Sequence, residues 1–438
     1  MNDTQGLGRK PPHAVPHGWR VSRVKDVLEF LNTRRIPLSA AERGVMTDKL
    51  YDYYGASGVI DRVETFLFDG TYILIAEDGA NLLSRSTPLA FLASGKFWVN
   101  NHAHILKPRP GGDTSFFVRL LESVDYSPSV TGAAQPKLTM ENLGHHKLGV
   151  PPLPEQQRVA TYLDSSCAAL DAAVAAKRSQ LETLDALRRT TVTRAVTRGI
   201  DDKAKLEPTG NVWMKSIPRG WNLVCLKRIS EIQTGLTLGK EYEGPLIERP
   251  YLRVANVQDG HLDLDDVTLI EVPTTVAARV ELRAGDVLMT EGGDLDKLGR
   301  GYLWNGQIPN CLHQNHIFAV RCFPHKLRPM FLAYATTSQY GRDYFEATGK
   351  RTTNLASTNS TKVGLFPIPL PALTIQDEIC HFLDAKLGEL ERMAGGITAQ
   401  IETLTAYRKS LIHECVTGQR RVTEEDLQRS ARALEDAS

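Results

Sequence analysis

Apolar residues follow a helical period along two long stretches of the chain. In the later stretch, from Leu383 to Cys415, they recur at alternating spacings of four and three residues, with Arg408 as a polar exception. The earlier stretch, from Val159 to Val196, carries a weaker form of the same pattern. Each stretch predicts a helix of about 37 residues, which is roughly 55 Å long.

Either helix alone would expose an apolar stripe, so we expect the two helices to pack against each other. The second helix must return beside the first after a globular module has been built between them, which predicts an antiparallel coiled coil. Gly395 and Gly396, inside the second helix, predict a kink or a close helix approach. The representative seam residues are Leu163, Leu170, Leu181, Leu184, Leu383, Leu390, Ile401 and Leu404.

Short runs of β-branched and aromatic residues, punctuated by Gly and Asp, precede each helix and predict strands of a mixed α+β module. A proline-rich segment, at residues 150–154 and again at 366–371, separates each module from its helix. Because proline interrupts both strands and helix interiors, these segments are predicted to be stiff boundaries.

The chain contains an internal repeat. The segment Val15-Pro16-His17-Gly18-Trp19 recurs as Ile217-Pro218-Arg219-Gly220-Trp221, and Leu74 to Gly79 recurs as Leu288 to Gly293. Asn101-His102 matches Asn315-His316, the offset then rises through loop insertions, and from Tyr162, which matches Phe382, the register continues without gaps through both helices. An ordered series of this kind indicates duplication of a module-plus-helix unit.

The predicted fold class is therefore α+β, with two globular modules joined by two long antiparallel helices in a pseudo-twofold internal repeat. The predicted divisions are an N-terminal segment 1–19, a first module 20–150, a hinge and central helix 151–199, a linker 200–221, a second module 222–367, a hinge and C-terminal helix 368–418 and a charged tail 419–438.

Composition limits the classes of function that the chain can have but does not identify one. The 438 residues carry a formal net charge of +1, so any contact with a polyanion must come from local basic patches. The six cysteines form no CxxC pair, which favours free thiols in a reducing compartment, and no apolar run reaches membrane-spanning length. These features predict a soluble, cytoplasmic protein.

Motifs for catalysis are missing from the sequence. There is no glycine-rich cofactor motif and no Asn/Asp-Pro-Pro-aromatic loop of a methyltransferase, and Gly235 to Glu241 is too short for a phosphate-binding loop. Cys311, His313, His316, Cys322 and His325 include zinc-ligand types, but their spacing fits no standard finger, and a structural strand or loop is the favoured interpretation. We therefore predict neither an enzyme nor a metal site.

Several segments resemble the specificity subunit of type I restriction–modification systems. Pro151 to Ala160 resembles that family's proline-rich, Glu-Gln-Gln helix entry, and Pro208 to Trp221 is similar to its lead into a second target-recognition domain. Tyr53 to Asp61, Gly95 to His104 and Pro250 to Val257 resemble recognition-domain segments. The second hinge departs from the pattern, because Leu373 to Glu378 replaces the Glu-Gln-Gln run.

The resemblance implies a non-catalytic DNA reader. Each recognition domain would bind one half of a split, asymmetric double-stranded target, while the helices set the spacing and dock two methyltransferase subunits. Two motor-nuclease subunits would join outside these. S-adenosylmethionine, ATP and Mg²⁺ are expected to bind to the partner subunits. This chain is expected to bind no cofactor and to have no contact with a membrane.

Polar, basic and aromatic residues in three regions suit contacts with phosphates and base edges. For the Asn-His pairs, buried strand packing is an alternative, and for Lys350-Arg351 a solvated loop. The candidate DNA-binding residues are Tyr53, Tyr54, Ser57, Lys96, Asn100, Asn101, His102, Lys137, Arg253, Asn256, Asn315, His316, Lys350, Arg351 and Asn354.

Other functions stay open at this point. One is the specificity subunit of a related methylation-only or type II-like system. Another is a self-sufficient modification enzyme, which the missing motifs disfavour. A third is a protein-interaction scaffold without a DNA role, which the near-neutral charge permits.

Overall fold

The structure is a computed structural model that describes residues 15–132, 135–239, 241–258, 260–293, 298–299, 301–351 and 356–435. The chain divides into two units, of which the first comprises residues 1–178 and 399–438 and the second residues 179–398. Each unit contains one globular module and a part of both long helices.

The first module is built on one six-stranded sheet with the order β2-β7-β5-β6-β3-β4, in which β3 and β6 are parallel and the other neighbours antiparallel. Its elements are β1 (Arg20–Arg23), α1 (Val24–Val27), β2 (Leu28–Phe30), α2 (Ala40–Gly44), β3 (Tyr51–Gly55), β4 (Gly58–Val63), β5 (Phe68–Ala76), α3 (Asn81–Ser84), β6 (Ala90–Val99), β7 (Ala103–Pro108), α4 (Thr114–Ser123), α5 (Met140–His145) and β8 (Lys147–Val150).

This sheet is strongly curled. The end of β6 pairs with the start of β5, whereas β7 begins beside the end of β5. Residues 100–102 join β6 to β7 and can span only about 14 Å, while β5 fully extended would be roughly 26 Å long. Gly70 and Gly95 face each other across the bend with φ angles of 124° and 83°, which only glycine adopts easily.

The second unit repeats this plan with insertions. Its main sheet has the order β12-β19-β15-β17, and β13 pairs with β14 and, in parallel, with β18. The remaining elements of the chain are α6 (Leu153–Arg198), β9 (Leu206–Pro208), β10 (Ser216–Pro218), β11 (Asn222–Cys225), β12 (Ser230–Thr234), β13 (Ile247–Leu252), β14 (Thr268–Val272), α7 (Thr274–Val280), β15 (Asp286–Thr290), β16 (Gly292–Gly293), β17 (Gly301–Trp304), β18 (Leu312–His313), β19 (Ile317–Cys322), α8 (Pro329–Thr337), α9 (Gln339–Thr348), β20 (Lys350–Arg351), β21 (Ala356–Ser357), α10 (Ser360–Leu365), β22 (Pro367–Leu370), α11 (Leu373–Val416) and α12 (Glu424–Glu435).

The repeated Pro-x-Gly-Trp segment closes each unit in the same way. The backbone nitrogens of Trp19 and Trp221 each donate a 3.0 Å hydrogen bond to the carbonyl of the preceding proline. Each indole then lies against the glycine that follows a long helix, Trp19 against Gly418 and Trp221 against Gly199. Both glycines have φ of 76°, the left-handed conformation that commonly ends helices.

The second proline-rich hinge is a strand, which corrects the prediction that it could not be one. Strand β22 contains Pro367 and Pro369 and pairs antiparallel with β11. Proline is tolerated here because β22 is an edge strand, and in an antiparallel pair only every second residue needs its N–H for the ladder. The first hinge begins in the same way, with β8 paired to β1.

The long helices extend further than the period predicted, to 46 residues in α6 and 44 in α11. In the first unit they run antiparallel, because Asp171 of α6 pairs with Arg408 of α11 while Leu163 shares a core with Cys415. The Nη2 atom of Arg408 lies 3.2 Å from Asp171, which explains the polar exception in the apolar stripe. In the second unit Val192 of α6 and Leu383 of α11 share one core.

Gly395 and Gly396 lie within the uninterrupted helix α11. A Cβ atom at either position would meet nothing within 4 Å, so the predicted close helix approach at this site is wrong. No helix in the described ranges is both long and apolar enough to cross a membrane.

A buried glutamine ties each long helix to its module. Gln156 accepts a hydrogen bond from the backbone of Asp113 at 2.8 Å, and Gln376 accepts one from the backbone of Arg328, also at 2.8 Å. Each amide also donates to the carbonyl of the hinge proline five residues earlier, at 2.9 Å. The second hinge therefore keeps the one glutamine that the fold uses, although it lacks the full Glu-Gln-Gln run.

The segments predicted as linker and tail also contain regular structure. Strands β9 and β10 form a hairpin in the linker, and most of the charged tail is helix α12. Helix α12 lies against α6, where Ser430 hydrogen-bonds Ser165 at 2.9 Å.

Candidate nucleic-acid interface

Where β5 ends in the first module, a group of charged and polar side chains converges. His102, in the turn before β7, donates from Nδ1 to the Asp78 carboxylate at 2.8 Å. The backbone nitrogen of Glu77 donates to the His102 carbonyl at 2.9 Å, and that of Leu138 donates to the Glu77 carbonyl at 2.8 Å. We call the group Glu77, Asp78, His102 and Lys137 the first junction.

The Glu77 carboxylate organises the base of this junction. Its Oε2 accepts a hydrogen bond from Arg35 at 2.7 Å, and its Oε1 lies 3.3 Å from the Lys137 ammonium. Burial would raise the pKa of the Glu77 carboxyl, but the Arg35 hydrogen bond and the neighbouring positive charges hold that pKa below its usual value. Arg35 also donates to the carbonyls of Asn101 and Ala103, so it fixes the turn that carries His102.

Buried His104 lies directly beneath this turn. Its Nε2 donates to the Leu138 carbonyl at 2.8 Å, and its Nδ1 accepts from the Asn32 amide at 2.7 Å. Burial lowers the pKa of His104, so the ring is a neutral structural bridge between the turn and the following loop.

The second module repeats the backbone bonds of the first junction. The backbone nitrogen of Glu291 donates to the His316 carbonyl at 2.8 Å, and that of Thr358 donates to the Glu291 carbonyl at 2.7 Å. The His316 imidazole donates to the Glu291 carboxylate at 2.5 Å. We call Glu291, His316 and Lys350 the second junction. In the second junction the acidic partner of the histidine is Glu291, the equivalent of Glu77. In the first junction it is Asp78, the residue after Glu77.

A small strand arrangement holds a basic loop against each junction. In the second module β21 pairs with both β16 and β20, so Lys350 lies opposite Ser357. In the first module single bridges join Lys137 to Asp78 and to Thr131. By this pairing Ser357 corresponds to Lys137 and Lys350 to Thr131, so the loops are equivalent but the predicted register, Thr131 with Thr348 and Lys137 with Asn354, is wrong by two to three residues.

Six candidate residues of the first module remain partly or largely accessible, four of them near the junction. The His102 side chain is 47% exposed and that of Lys137 is 50% exposed. Asn101 is exposed in the same turn. Ser57 is exposed in the turn after β3. The carbonyl of Tyr54, near the end of β3, accepts a hydrogen bond from the backbone nitrogen of Asn100. Tyr54 is half-buried and stacks on Phe91, and Lys96 lies further along β6 with its ammonium 4.6 Å from the Phe66 ring.

In the second module the structure brings Arg253, Asn315 and His316 together. Arg253 follows β13, and the next backbone nitrogen, of Val254, donates to Gln314 at 3.3 Å. The Arg253 side chain pairs with Asp266 at 2.7 Å and is 38% exposed, and that of His316 is 52% exposed. Lys350 is exposed. Arg351 belongs to β20, but its side chain and the whole of Asn354 lie outside the described residues.

Three candidates are corrected by the structure, because their side chains are buried and used internally. Tyr53 is 1% exposed and its hydroxyl bonds the backbone of Leu38, just as Tyr251 bonds Leu236 in the second module. Asn100 is 6% exposed and accepts from the backbone of His102. Asn256 is 3% exposed and donates to two carbonyls, those of Asp263 and Asp266. None of these three side chains can reach DNA in this conformation.

The seam residues also need a correction to their role. Leu163 and Leu383 are buried in the cores that join helix to module, Leu390 is also buried, and the other five are half-buried. The three buried leucines are therefore used within the fold and present no docking surface.

Sequence reasoning missed Arg35, Glu77, Asp78 and Glu291 as members of the site. Glu77 and Glu291 occupy the repeated segment that ends β5 and β15, so the repeat itself contained a signal for them. Arg35 lies far away in sequence and had no local signal.

The cysteine-histidine segment is structural, as the sequence favoured. Cys311 and His313 are buried at β18, and His313 donates from Nδ1 to the Ile317 carbonyl at 2.9 Å. Within the described ranges, no cluster of three potential metal ligands occurs.

Comparison with known proteins agrees with this architecture. A family model described as the type I restriction modification DNA specificity domain matches residues 16–183. A putative type I restriction enzyme specificity subunit of Haemophilus influenzae is 31% identical over 140 residues, which are 32% of this chain and 35% of that protein. The EcoKI specificity subunit of Escherichia coli is 26% identical over 58% of this chain and 54% of its own length. The chain thus covers about a third and about a half of these two relatives.

Two solved structures have a similar fold. A chain from a structure concerning complex assembly and conformational transition of the type I R-M system has a TM-score of 0.66 at 16% identity, covering 92% of this chain and 99% of that one. The HsdS subunit from Thermoanaerobacter tengcongensis has a TM-score of 0.53 at 16% identity, covering 93% and 99%. Residues 16–183 thus match the type I restriction modification DNA specificity domain, and the two duplicated modules with two long helices are similar in fold to type I specificity subunits.

Proposed function

We propose that this chain is the DNA-reading subunit of a type I restriction–modification complex, and that each module reads one half of a split target. The observation that carries the proposal is the junction, built twice with the same backbone bonds but with different side chains around it. A repeated frame with divergent surroundings suits two unlike half-sites, because the frame positions the loops and the side chains select the bases.

The exposed members of the two junctions have the chemistry that duplex recognition needs. Lys137 and Lys350 supply positive charge for phosphates, while His102 and His316, with Asn101 in the turn beside His102, present donors and acceptors that suit base edges. Since the net charge of the chain is only +1, this local placement, rather than a global field, would steer the DNA.

In this proposal the long helices fix the separation of the two half-sites and dock two methyltransferase subunits, with two motor-nuclease subunits joining outside them. The chain itself plays a non-catalytic role. The methyl donor S-adenosylmethionine, together with ATP and Mg²⁺, belongs to the partner subunits.

Methylation mapping tests the proposal. DNA from cells with and without the gene is sequenced for methylated bases, and a split motif that disappears on deletion is the expected result. A chain that carries only the first module's Lys137→Ala and His102→Ala changes should relax or lose one half of the motif and keep the other. An unsplit motif, or methylation unchanged by deletion, contradicts the proposal.

Two further assays separate the competing interpretations. Methyl transfer by the purified chain alone would identify a self-sufficient enzyme. Absence of sequence-specific DNA protection when the methyltransferase is co-expressed would favour a scaffold without a DNA role.

A further inference from the structure

Each junction pairs an exposed histidine with a carboxylate that lies further inside the module. The Asp78 side chain is 16% exposed and that of His102 is 47% exposed. The Glu291 side chain is 27% exposed and that of His316 is 52% exposed. In both pairs the imidazole is therefore the outer member, and the carboxylate supports it from within.

The hydrogen bond to the carboxylate determines which nitrogen of each ring carries the hydrogen. Nδ1 of His102 lies 2.9 Å and 2.8 Å from the two Asp78 carboxylate oxygens, and Nδ1 of His316 lies 2.5 Å from the Glu291 carboxylate. An ionised carboxylate only accepts hydrogen bonds, so the hydrogen must be on Nδ1. In a neutral imidazole the other nitrogen, Nε2, then carries no hydrogen and is an acceptor. Nε2 of His102 has no hydrogen-bond partner among the described residues.

The backbone holds the two histidines in the same way. Asn100 and Gln314, two residues before each histidine, donate their backbone nitrogens to the carbonyls of Tyr54 at 3.0 Å and Leu252 at 2.9 Å. At the other end of each turn, the backbone nitrogen of the junction glutamate donates to the histidine carbonyl. Each ring is thus carried by a turn that is fixed at both ends, as a specific polar contact requires.

We propose that His102 and His316 each read one base pair, by accepting a hydrogen bond at Nε2 from the exocyclic amino group of adenine or cytosine in the major groove. This inference rests on the proposed function, because it assumes that the junctions face DNA. In the major groove the adenine N6 and cytosine N4 amino groups donate, whereas guanine and thymine present acceptors. An Nε2 acceptor therefore favours adenine or cytosine on the strand that it contacts and disfavours guanine or thymine.

The carboxylates contribute to this selectivity without touching DNA. Without Asp78, Nδ1 of His102 could lose its hydrogen and Nε2 could donate, so the ring could also bind guanine or thymine. Asp78 and Glu291 are therefore positioning residues. Lys137 in the first junction has a different role, because an ammonium group binds the phosphates of every sequence alike.

Methylation mapping in cells that express single variants tests the assignment. His102→Ala and Asp78→Ala should both relax the same base pair of one half-site. His316→Ala and Glu291→Ala should both relax one base pair of the other half-site. Agreement between each histidine and its carboxylate on one base pair is a result that general destabilisation of a module would not produce.

Two control variants separate base reading from other effects. Lys137→Ala should leave the methylated motif unchanged and lower the slope of log affinity against log salt concentration by about one. Asp48→Ala, at an exposed position of the first module outside the junction, should change neither the motif nor the slope.

Base analogues identify the group that the native complex reads. In duplexes that carry the mapped motif, each adenine is replaced in turn by purine and each cytosine by 2-pyrimidinone, which lack the amino group. One replacement in the first half-site should weaken binding about 5- to 150-fold, and the complex with His102→Ala should bind that duplex and the unmodified one alike. The same replacement in the unread gap controls for the lost pairing hydrogen bond.

Nitrogen NMR of the full chain with isotopically labelled histidine reports the tautomer directly, with His102→Gln to assign the signal. We expect the hydrogen of His102 on Nδ1 and a bare Nε2. This measurement and the analogue series both use the native chain, so they decide the question even where an alanine variant does not fold.

A hydrogen on Nε2 of His102, a motif that His102→Ala leaves unchanged, or a half-site in which every amino group can be removed without loss of affinity overturns the inference and leaves the proposed function standing. If deletion of the gene leaves DNA methylation unchanged, the proposed function fails and the inference fails with it.

Discussion

The side-chain oxygen of Gln156 accepts a 2.8 Å hydrogen bond from the backbone nitrogen of Asp113 and thereby joins α6 to the start of α4. The Gln156 amide also donates to the Pro151 carbonyl at 2.9 Å, and the side chain is 1% exposed. One buried amide thus holds the hinge, the module and the long helix in register.

Replacing Gln156 by leucine should destabilise the first unit by about 3 kcal/mol, because it leaves a buried donor and a buried acceptor without partners. Urea unfolding followed by tryptophan fluorescence measures the change. The matched control is Gln157→Leu at the next, exposed position, which should alter the free energy of unfolding by less than about 0.5 kcal/mol. Equal effects of the two changes would contradict this role for Gln156.

Alanine substitutions at Gly418, just after α11, and at Gly395, inside α11, should change the stability of the protein in opposite directions. At Gly418, with φ of 76°, a Cβ would come within 2.3 Å of Pro16, so Gly418→Ala should lower the thermal unfolding midpoint. At Gly395 a Cβ meets nothing, so Gly395→Ala should stabilise the helix by about 1 kcal/mol. Calorimetry of both variants checks the signs, and a loss of stability for Gly395→Ala would indicate a role that the structure does not show.

Acid should weaken the second module through His313. Burial lowers the pKa of His313 to about 4, against roughly 6.5 for an exposed histidine. Between these values the unfolded chain binds the proton and the folded chain does not, so stability is full above pH 6.5 and falls as the pH drops toward 4. His313→Gln should make the urea unfolding midpoint less dependent on pH over this range. His261→Gln, at an exposed position, should leave the pH dependence of the midpoint unchanged.

The basic strand β20 should contribute to DNA affinity by binding phosphates. The double change Lys350→Ala and Arg351→Ala should weaken binding by the assembled complex for all sequences alike. It should also lower the slope of log affinity against log salt concentration by about one for each phosphate that the variant no longer neutralises. The matched control is Lys203→Ala with Lys205→Ala, two lysines in the linker. Affinity that is unchanged at every salt concentration would remove β20 from the DNA footprint.

The helical period and the repeat predicted the architecture well, because both depend on regular spacing that survives divergence. The direction in which a strand residue points was predicted less well. Tyr53 and Tyr54 were given the same role, yet β3 has a register irregularity between them, and Tyr53 is buried while Tyr54 is half-buried.

The sequence also did not predict which polar residues are buried. Asn256 has the residue type of a base reader, but its amide satisfies two backbone carbonyls of a neighbouring turn. A single sequence does not distinguish these roles, since both need the same donors and acceptors. Long-range partners such as Arg35 and Glu77, 42 residues apart, follow from the fold alone.

The first unit is assembled from both ends of the chain, and this has a consequence for synthesis on the ribosome. Leu411, Cys415 and Val416 complete the same core as Val24 and Leu28. The nascent first module therefore waits, with part of its apolar surface uncovered, until the last helix has been translated, whereas residues 179–398 are already contiguous and can fold before then. If translation stops shortly before α11 is complete, the released chain has a folded second unit. Its first unit lacks part of its core and is exposed to aggregation and proteolysis.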